Sequence, residues 1–394
     1  MKRFLVPTVP NGNNNDDEDE RLEKKKVKTD RDDRRKRRRF PRTFLSVNVD
    51  GLTSKLHDGK KWKEKQSFLE YVRKARADVV TITETWIPSR GATSVKPYSN
   101  DGTNKSYRES ANGIKSALDM DSILKRYKRF FNCYHQKSAG VLVLVNAEEV
   151  EAPSKVSVRV VDRDRDGDGD NDEDNEITRG RFVECQFGAD DDANKLVVLS
   201  TYSPNNGSTT QSRERRRKWD EEVIMKRLTR LREEGTNFIW TGDLNVAPES
   251  IDVKFDDIRA VENRKASDPD YGVAGFTRNE QRRFREILAA ADACDAYRAV
   301  NGGEKRSYTW RSYTVNKVGG KVFNTVNPGM RLDLMVVSNA LKSKILRCYH
   351  ATDDLPDAEA MKMPMDRFFG SDHCAVHLEL KNLDDADDKD DDDA

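Results

Sequence analysis

A chain of 394 residues has room for one large domain or two ordinary ones. Its charge is clustered: residues 162–176 and 384–393 each carry −7, so the nominal net charge of +1 leaves +15 on the remainder, an excess that suits a polyanionic partner. Five cysteines with no CxxC pair point away from a disulfide framework and toward a reducing compartment, no apolar run approaches the roughly 20 residues of a bilayer span, and the N-terminus has neither an apolar signal region nor the acid-poor composition of a transit peptide; secretion, mitochondrial import and membrane insertion are not expected.

Residues 1–41 read as a disordered extension, in which an Asn/Asp/Glu tract precedes basic clusters at Lys24–Lys28 and Arg34–Arg39. Their roughly bipartite spacing reads as a nuclear-import signal or as an arm adding phosphate contacts. A strand at 44–48, a helix at 62–76 and a strand at 79–83 make a β-α-β opening. The polar, weakly periodic stretch 100–137 is expected to be a surface insertion, followed by strands at 140–145, 181–187 and 196–202. A second insertion near 151–178 contains Asp162, Asp164, Asp166, Gly167, Asp168, Asp170 and Glu173 at calcium-loop spacing. Gly169 stands where that loop needs an apolar residue, and no amphipathic helix flanks it, so a solvated acidic loop is the simpler reading. A helix at 212–234, with Ile224, Leu228 and Leu231 on one face and Gly235 to end it, leads to a strand at 238–241. A helix at 278–291 and strands at 308–311, 332–337 and 375–380 complete an alternating α/β plan without repeats. Residues 382–394 read as a disordered acidic tail.

Polar residues stand at the ends of these strands: Asn48 and Asp50, Glu84, Tyr202 and Asn205, Asp243 and Asn245, Asp333, Asp372 and His373. Singly, Asn and Asp end strands because their side chains mimic turns. As a set, carboxylates and carboxamides with one histidine and no cysteine are hard oxygen ligands, suited to Mg²⁺ or Mn²⁺ rather than to a closed zinc site. Hydrolysis at phosphate is the chemistry implied.

The motifs SVNVDGL at 46–52, ITET at 82–85, TYSPNNG at 201–207, GDLNVAPESIDV at 242–253, AGFT at 274–277, MRLD at 330–333 and GSDHCAV at 370–376 resemble, in order, those of the endonuclease/exonuclease/phosphatase superfamily. The extensions APESIDV, AGFT and NVDGL resemble its exonuclease III branch of apurinic/apyrimidinic (AP) endonucleases. The resemblance covers about 42–381 and implies one catalytic domain: a four-layer α/β sandwich, two packed β-sheets flanked by helices, with a cleft at one end.

It further implies that Glu84 is the principal Mg²⁺ ligand, with Mn²⁺ as an alternative ion, that Asp50, Asn48 and Asp372 complete or flank the metal site, and that Asp243, Asn245 and His373 also belong to it. By the same resemblance, Asp243 would orient or deprotonate the attacking water, Asn245 would fix it, Tyr202 and Asn205 would hold phosphate oxygens, and His373 would contact the scissile phosphate with Asp333 behind its other ring nitrogen. Trp310, Met330 and Leu332 stand at positions lining a pocket for the base-less sugar, although as apolar residues they read equally as core. Two departures are a longer stretch at 314–329 and Met330 where an aromatic is typical. The expected substrate is double-stranded DNA with abasic sites or blocked 3′ ends, cut by a nuclear monomer. A broader or retroelement-derived nuclease, and a non-catalytic DNA-binding module, are the alternatives.

Overall fold

The computed structural model of the chain describes residues 37–52, 55, 68–87, 124–134, 138–158, 177–254, 268–311, 316–318, 321–323, 329–353 and 370–384. Most of the expected N-terminal extension, the calcium-like stretch 162–173, most of the three expected insertions, and the tail beyond 384 lie outside these residues.

Eight strands in chain order are β1 (Thr43–Asn48), β2 (Val79–Thr83), β3 (Tyr127–Asn132), β4 (Val141–Asn146), β5 (Lys155–Ser157), β6 (Phe182–Phe187), β7 (Leu196–Tyr202) and β8 (Asn237–Asp243). Runs such as VVTIT and VLVLVN are buried at every position, as strands covered on both faces must be. Two six-stranded sheets result. One has the order Ile345–His350, Val376–Leu380, β1, β2, β4, β3; the other has Ala293–Asp295, Asp333–Ser338, β8, β7, β6, β5. Their facing sides share one apolar cluster, with Phe44, Val79, Val143 and Val376 from the first and Val183, Val198, Ile239 and Met335 from the second. Helix Phe68–Ala75 packs Phe68 and Val72 on the outer face of the first sheet. Trp219, Ile224, Leu228, Leu231, Phe284 and Ile287 cover the outer face of the second. This is the expected four-layer α/β sandwich. Among the described residues no helix is long and apolar enough to cross a membrane.

The helix expected at 212–234 runs as α-helix over Thr210–Lys218, π-helix over Trp219–Met225 and α-helix over Lys226–Glu233. Its start is a capping box between Thr209 and Ser212, and Gly235 follows its end with φ +63°. AGFT proves to be a helix start: Thr277 caps Arg278–Ala291, and Glu280 accepts bonds from the backbone N–H groups of Gly275 and Thr277. Strand β3 falls within the stretch expected as the first insertion. Tyr127, Phe131 and Asn132 are buried against β4, so this part of 100–137 belongs to the sheet; its charged Lys128 and Arg129 had obscured the alternation.

The fold takes in residues just before the expected domain start. Arg38 grips Asp78 with both terminal nitrogens, at 2.7 and 2.6 Å, and Phe40 is fully buried in the inter-sheet core. Phe40→Ala is expected to lower the unfolding free energy by about 3–5 kcal/mol, through lost transfer energy and the cavity left behind. Urea unfolding at neutral pH measures this.

Two histidines away from the strand-end cluster are held neutral. His350 lies fully buried, stacked 4.1 Å from Tyr297, and burial with Arg331 nearby holds it well below its ordinary range. His377 stacks 4.6 Å from Tyr349, and burial pushes it down to about 4. Because the folded values lie below the unfolded one, the unfolded chain binds protons that the folded chain resists. Stability is therefore full above pH 6.5 and falls as pH drops toward 4. The His377 share is at most about 3 kcal/mol at 1.36 kcal/mol per unit. His377→Gln should flatten the decline in urea midpoint between pH 7 and 4.5, and an unchanged decline would rule His377 out as its source.

Candidate active site

Strand pairing gathers the polar residues at one end of the two sheets. In the parallel pair β1/β2, Asn48 stands opposite Thr83, directly before Glu84. In the parallel pair β7/β8, Tyr202 stands opposite Asp243, and Asp333 meets Asp243 from the antiparallel side. Asp372 and His373 immediately precede the strand Val376–Leu380, which pairs with β1. Gly242 makes the crossing possible. Its φ is +127°, and a Cβ there would lie 2.0 Å from the carbonyl oxygen of Thr201.

Asn48 links the two halves of the site. Its Nδ2 donates to Glu84 Oε1 at 2.9 Å and to Asp243 Oδ2 at 3.0 Å, while its Oδ1 accepts from the backbone N–H of Asp50 at 3.1 Å. Both amide hydrogens and the oxygen are thus engaged in bracing carboxylates and backbone. Asp243 is buried; its Oδ1 accepts from Asn245 N at 3.0 Å, and its Oδ2 also accepts from Asn245 Nδ2 at 3.3 Å. Burial, with Asp333 and Glu84 adding to it, raises the Asp243 carboxyl against the lowering effect of His373. Such a group is suited to accepting a proton near neutrality.

His373 Nδ1 lies 2.7 Å from Asp333 Oδ2. Burial pulls the imidazole down, but Asp333, Asp243 and Asp372 outweigh it and hold His373 well above its ordinary value. Asp243, Asp333 and His373 offer ligand atoms within 4.8 Å of one another. With Nδ1 committed to Asp333, however, this trio reads as an oriented imidazole with Nε2 left 4.0 Å from Asp243 Oδ2 and 3.9 Å from Asp372 Oδ1. The backbone around it is pinned: Thr309 Oγ1 accepts from the N–H groups of Leu332 and Asp333, Thr309 O accepts from Cys374 N, and Ser371 Oγ donates to Asn48 O.

Asp50, Glu84 and Asp372, all partly exposed, form the second cluster. Burial raises the Asp50 carboxyl, and Asp372 and Glu84 raise it further, against Lys55 and His373. The ligand atoms of Asp50, Glu84 and Asp372 are not gathered as closely as those of Asp243, Asp333 and His373, the one group among the described residues within 4.8 Å of one another; partly exposed carboxylates of this kind suit a hydrated divalent cation that takes one or two of them directly. Burial raises the Tyr202 phenol, and the nearby charges of Glu84 and Asp243 raise it further. The Arg181 guanidinium lies 4.9 Å over the Tyr202 ring. Asn205, exposed, donates to Asn245 Oδ1 at 3.3 Å.

Met330 and Leu332, 2% and 6% exposed, are buried in a cluster with Ala247, Val253 and Phe276. Trp310 packs against them but keeps partial exposure, and its indole donates to Asp372 Oδ2 at 2.9 Å. Sequence reasoning did not single out Trp86, Arg181, Arg216, Thr309 or Ser371. Ser371 lies inside and Trp86 directly after one of the motifs, and Thr309 lies in the strand expected at 308–311; Arg216 is hidden in a run of arginines and a lysine.

Comparisons with known proteins align most of the chain with proteins named AP endonucleases. A DNA-(apurinic or apyrimidinic site) endonuclease of Plasmodium falciparum (isolate 3D7) is 27% identical over 373 residues, covering 86% of this chain and 55% of that protein. One from Arabidopsis thaliana is 27% identical over 357 residues, covering 86% and 85%. The chain thus spans little more than half the length of the Plasmodium relative. The crystal structure of an AP endonuclease from Leishmania major shares the fold, with a TM-score of 0.59 at 19% identity over 86% of this chain and 88% of that one. Residues 45–373, which hold nearly every residue of the site described, match the Endonuclease/Exonuclease/phosphatase family, and the chain belongs to that family.

Proposed function

We propose that this chain hydrolyses the DNA phosphodiester 5′ to an abasic site, leaving a 3′-hydroxyl, and that it also clears blocked 3′ ends as a 3′-phosphodiesterase or 3′→5′ exonuclease. The observation that carries the reading is the pairing of a raised, buried carboxyl at Asp243 with the His373–Asp333 couple across one strand end. A phosphodiester resists attack because its charge repels the nucleophile and its alkoxide leaves poorly, so a base, a charged donor and a cation are each needed.

Asp243 takes the proton of a water held beside it by Asn245, and the water oxygen attacks phosphorus. The P–O3′ bond breaks, and the departing oxygen takes a proton from solvent water to become the 3′-hydroxyl. His373, held charged by Asp333, contacts a phosphate oxygen, and Tyr202 and Asn205 hold others. Glu84, Asp50 and Asp372 are the residues that would hold Mg²⁺, or Mn²⁺ in its place, supplying positive charge to the phosphate. Similarity to proteins named AP endonucleases favours the abasic lesion over a general nuclease substrate. A nuclear monomer acting on double-stranded DNA completes the proposal, the location resting on the basic clusters before residue 40.

The test is a duplex carrying one tetrahydrofuran AP analogue, incubated with Mg²⁺ or with EDTA, with both new ends mapped. Single incision 5′ to the analogue with Mg²⁺ alone supports the reading. Incision at random positions, or none with Mg²⁺ or Mn²⁺, would point instead to a broader nuclease or to a binding module.

A further inference from the structure

Two indole N–H groups end on carboxylates of the site. Trp86 Nε1 donates to Glu84 Oε2 at 3.1 Å, and Trp310 Nε1 donates to Asp372 Oδ2 at 2.9 Å. Indole is a donor only and stays uncharged. It can fix a carboxylate without neutralising it, which an arginine or lysine in the same place could not do. With Asn48 Nδ2 on Glu84 Oε1, both oxygens of Glu84 are oriented by neutral donors and still have lone pairs to offer.

The backbone holds Trp86 in this place against its own preference. Glu84 has φ +52° and Trp86 φ +53°, a region that bulky residues rarely adopt. Four backbone bonds fix the turn: Gly51 N to Glu84 O at 2.9 Å, Leu52 N to Thr85 O at 3.1 Å, Thr85 N to Gly140 O at 3.1 Å and Trp86 N to Ala139 O at 3.0 Å. Glycine makes the room on both sides. A Cβ on Gly51 would lie 2.7 Å from Trp86 Cε3, and one on Gly140 would lie 2.2 Å from Thr85 Oγ1. Strain that its surroundings over-determine in this way clusters at sites with a function. Trp310 is fixed from two directions, pairing with Met330 on one side and bridging His373 on the other.

We propose that Trp86 and Trp310 are positioning residues that hold Glu84 and Asp372 ready for a divalent cation, and that their indole emission reports its arrival. The proposal rests on the reading of Glu84, Asp50 and Asp372 as the metal site. Donors that orient metal ligands are typically worth about 10- to 100-fold in metal affinity. Trp219 and Trp240 donate instead to Ser203 Oγ and Thr201 Oγ1 inside the fold, so they give a constant background.

The test uses the full chain without DNA and measures Mn²⁺ binding by the electron paramagnetic resonance of the free ion. The variants are Trp86→Phe, Trp310→Phe, and replacement of Trp86 by its benzothienyl isostere, which keeps the ring's shape and lacks only the N–H. All three are expected to bind Mn²⁺ about tenfold or more weakly than the wild type. The kcat of the two Trp86 variants at saturating metal should stay within about threefold, because the loss is of affinity, not of chemistry. Mg²⁺ should change wild-type tryptophan emission saturably, and the change should shrink in each Phe variant. Wild-type Mn²⁺ affinity in the Phe variants, or in the isostere alone, would overturn the positioning role while leaving the metal site intact. A wild-type chain that binds no Mn²⁺ at millimolar concentration would overturn the metal site itself, and this inference with it.

Discussion

Asp243→Asn is expected to lower single-turnover incision at an abasic site by about 10³-fold, within the 10²–10⁴ that a positioned general base contributes. The carboxylate is nearly inaccessible and its two oxygens accept three hydrogen bonds, from Asn48 Nδ2, Asn245 N and Asn245 Nδ2. An amide cannot reproduce that set. If its oxygen faces Asn48 and the Asn245 side chain, its NH₂ meets the Asn245 N–H, donor against donor; the opposite orientation sets NH₂ against NH₂. The mismatch costs about 1–3 kcal/mol, offset in part because burial, with Asp333 and Glu84 beside it, disfavours the charge that is removed, while the attraction of His373 is lost. The variant should therefore fold, with a modest shift in melting temperature, and should bind an abasic duplex in EDTA about as well as the wild type. Glu84→Gln should fall at least about a hundredfold through loss of charge at the proposed cation site. Rates within tenfold of wild type for both, in excess enzyme over duplex, would remove the base and the cation from the mechanism.

The strand-end residues were legible in the sequence because strand, polar end and motif coincide at each of them. Asp243 ends an apolar strand directly after Gly242, and a parallel neighbour ending in Tyr202 is what the β7/β8 register requires. The sandwich was legible for the same reason: runs such as VVTIT and LVVLSTY can only be covered on both faces. Less legible were elements whose pattern is broken by charge. Strand β3 carries Lys128 and Arg129 in its middle, and Ile345–His350 leaves Leu346 and Arg347 exposed at the edge of its sheet. The supporting contacts were not legible at all, because they join residues far apart in the chain. Thr309 reaches Asp333 and Cys374, and the Gly51 turn meets Glu84 and Thr85. Nothing local marks such pairs. Met330 illustrates the converse. Its position was legible as apolar and beside the site, but an apolar residue reads alike as core and as pocket wall. The structure buries Met330 with Phe276 and Leu332 while Trp310 keeps partial exposure.

Arg216→Met is expected to cost about 3–5 kcal/mol of stability, the usual penalty for removing one partner of a buried ion pair. That is a large part of the roughly 5–15 kcal/mol by which domains are stable. Arg216 enters from the helical turn ahead of the π-helical stretch and is 2% exposed. Its Nε donates to both oxygens of Asp220 at 2.9 Å, and one terminal nitrogen donates to the carbonyls of Pro204 and Asn245, each at 3.0 Å. Asp220 would keep Arg283, at 2.8 Å, but the two carbonyls would lose this donor. They belong to the loops that carry Asn205 and Asn245, and Asn245 is held at φ +49°, a conformation that relaxes once its carbonyl is freed. The loss should thus reach the chemistry: single-turnover incision at 10 °C, corrected for the folded fraction, should fall about tenfold beyond what unfolding explains. Arg216→Lys keeps the charge, yet one ammonium cannot span the carboxylate and both carbonyls as the planar fork does, and it should lie between wild type and Met on both measures. A Met variant that melts early yet turns over normally when folded would confine Arg216 to holding the helix, and Asn245 would then owe its geometry to Asp243 and Ser203 alone.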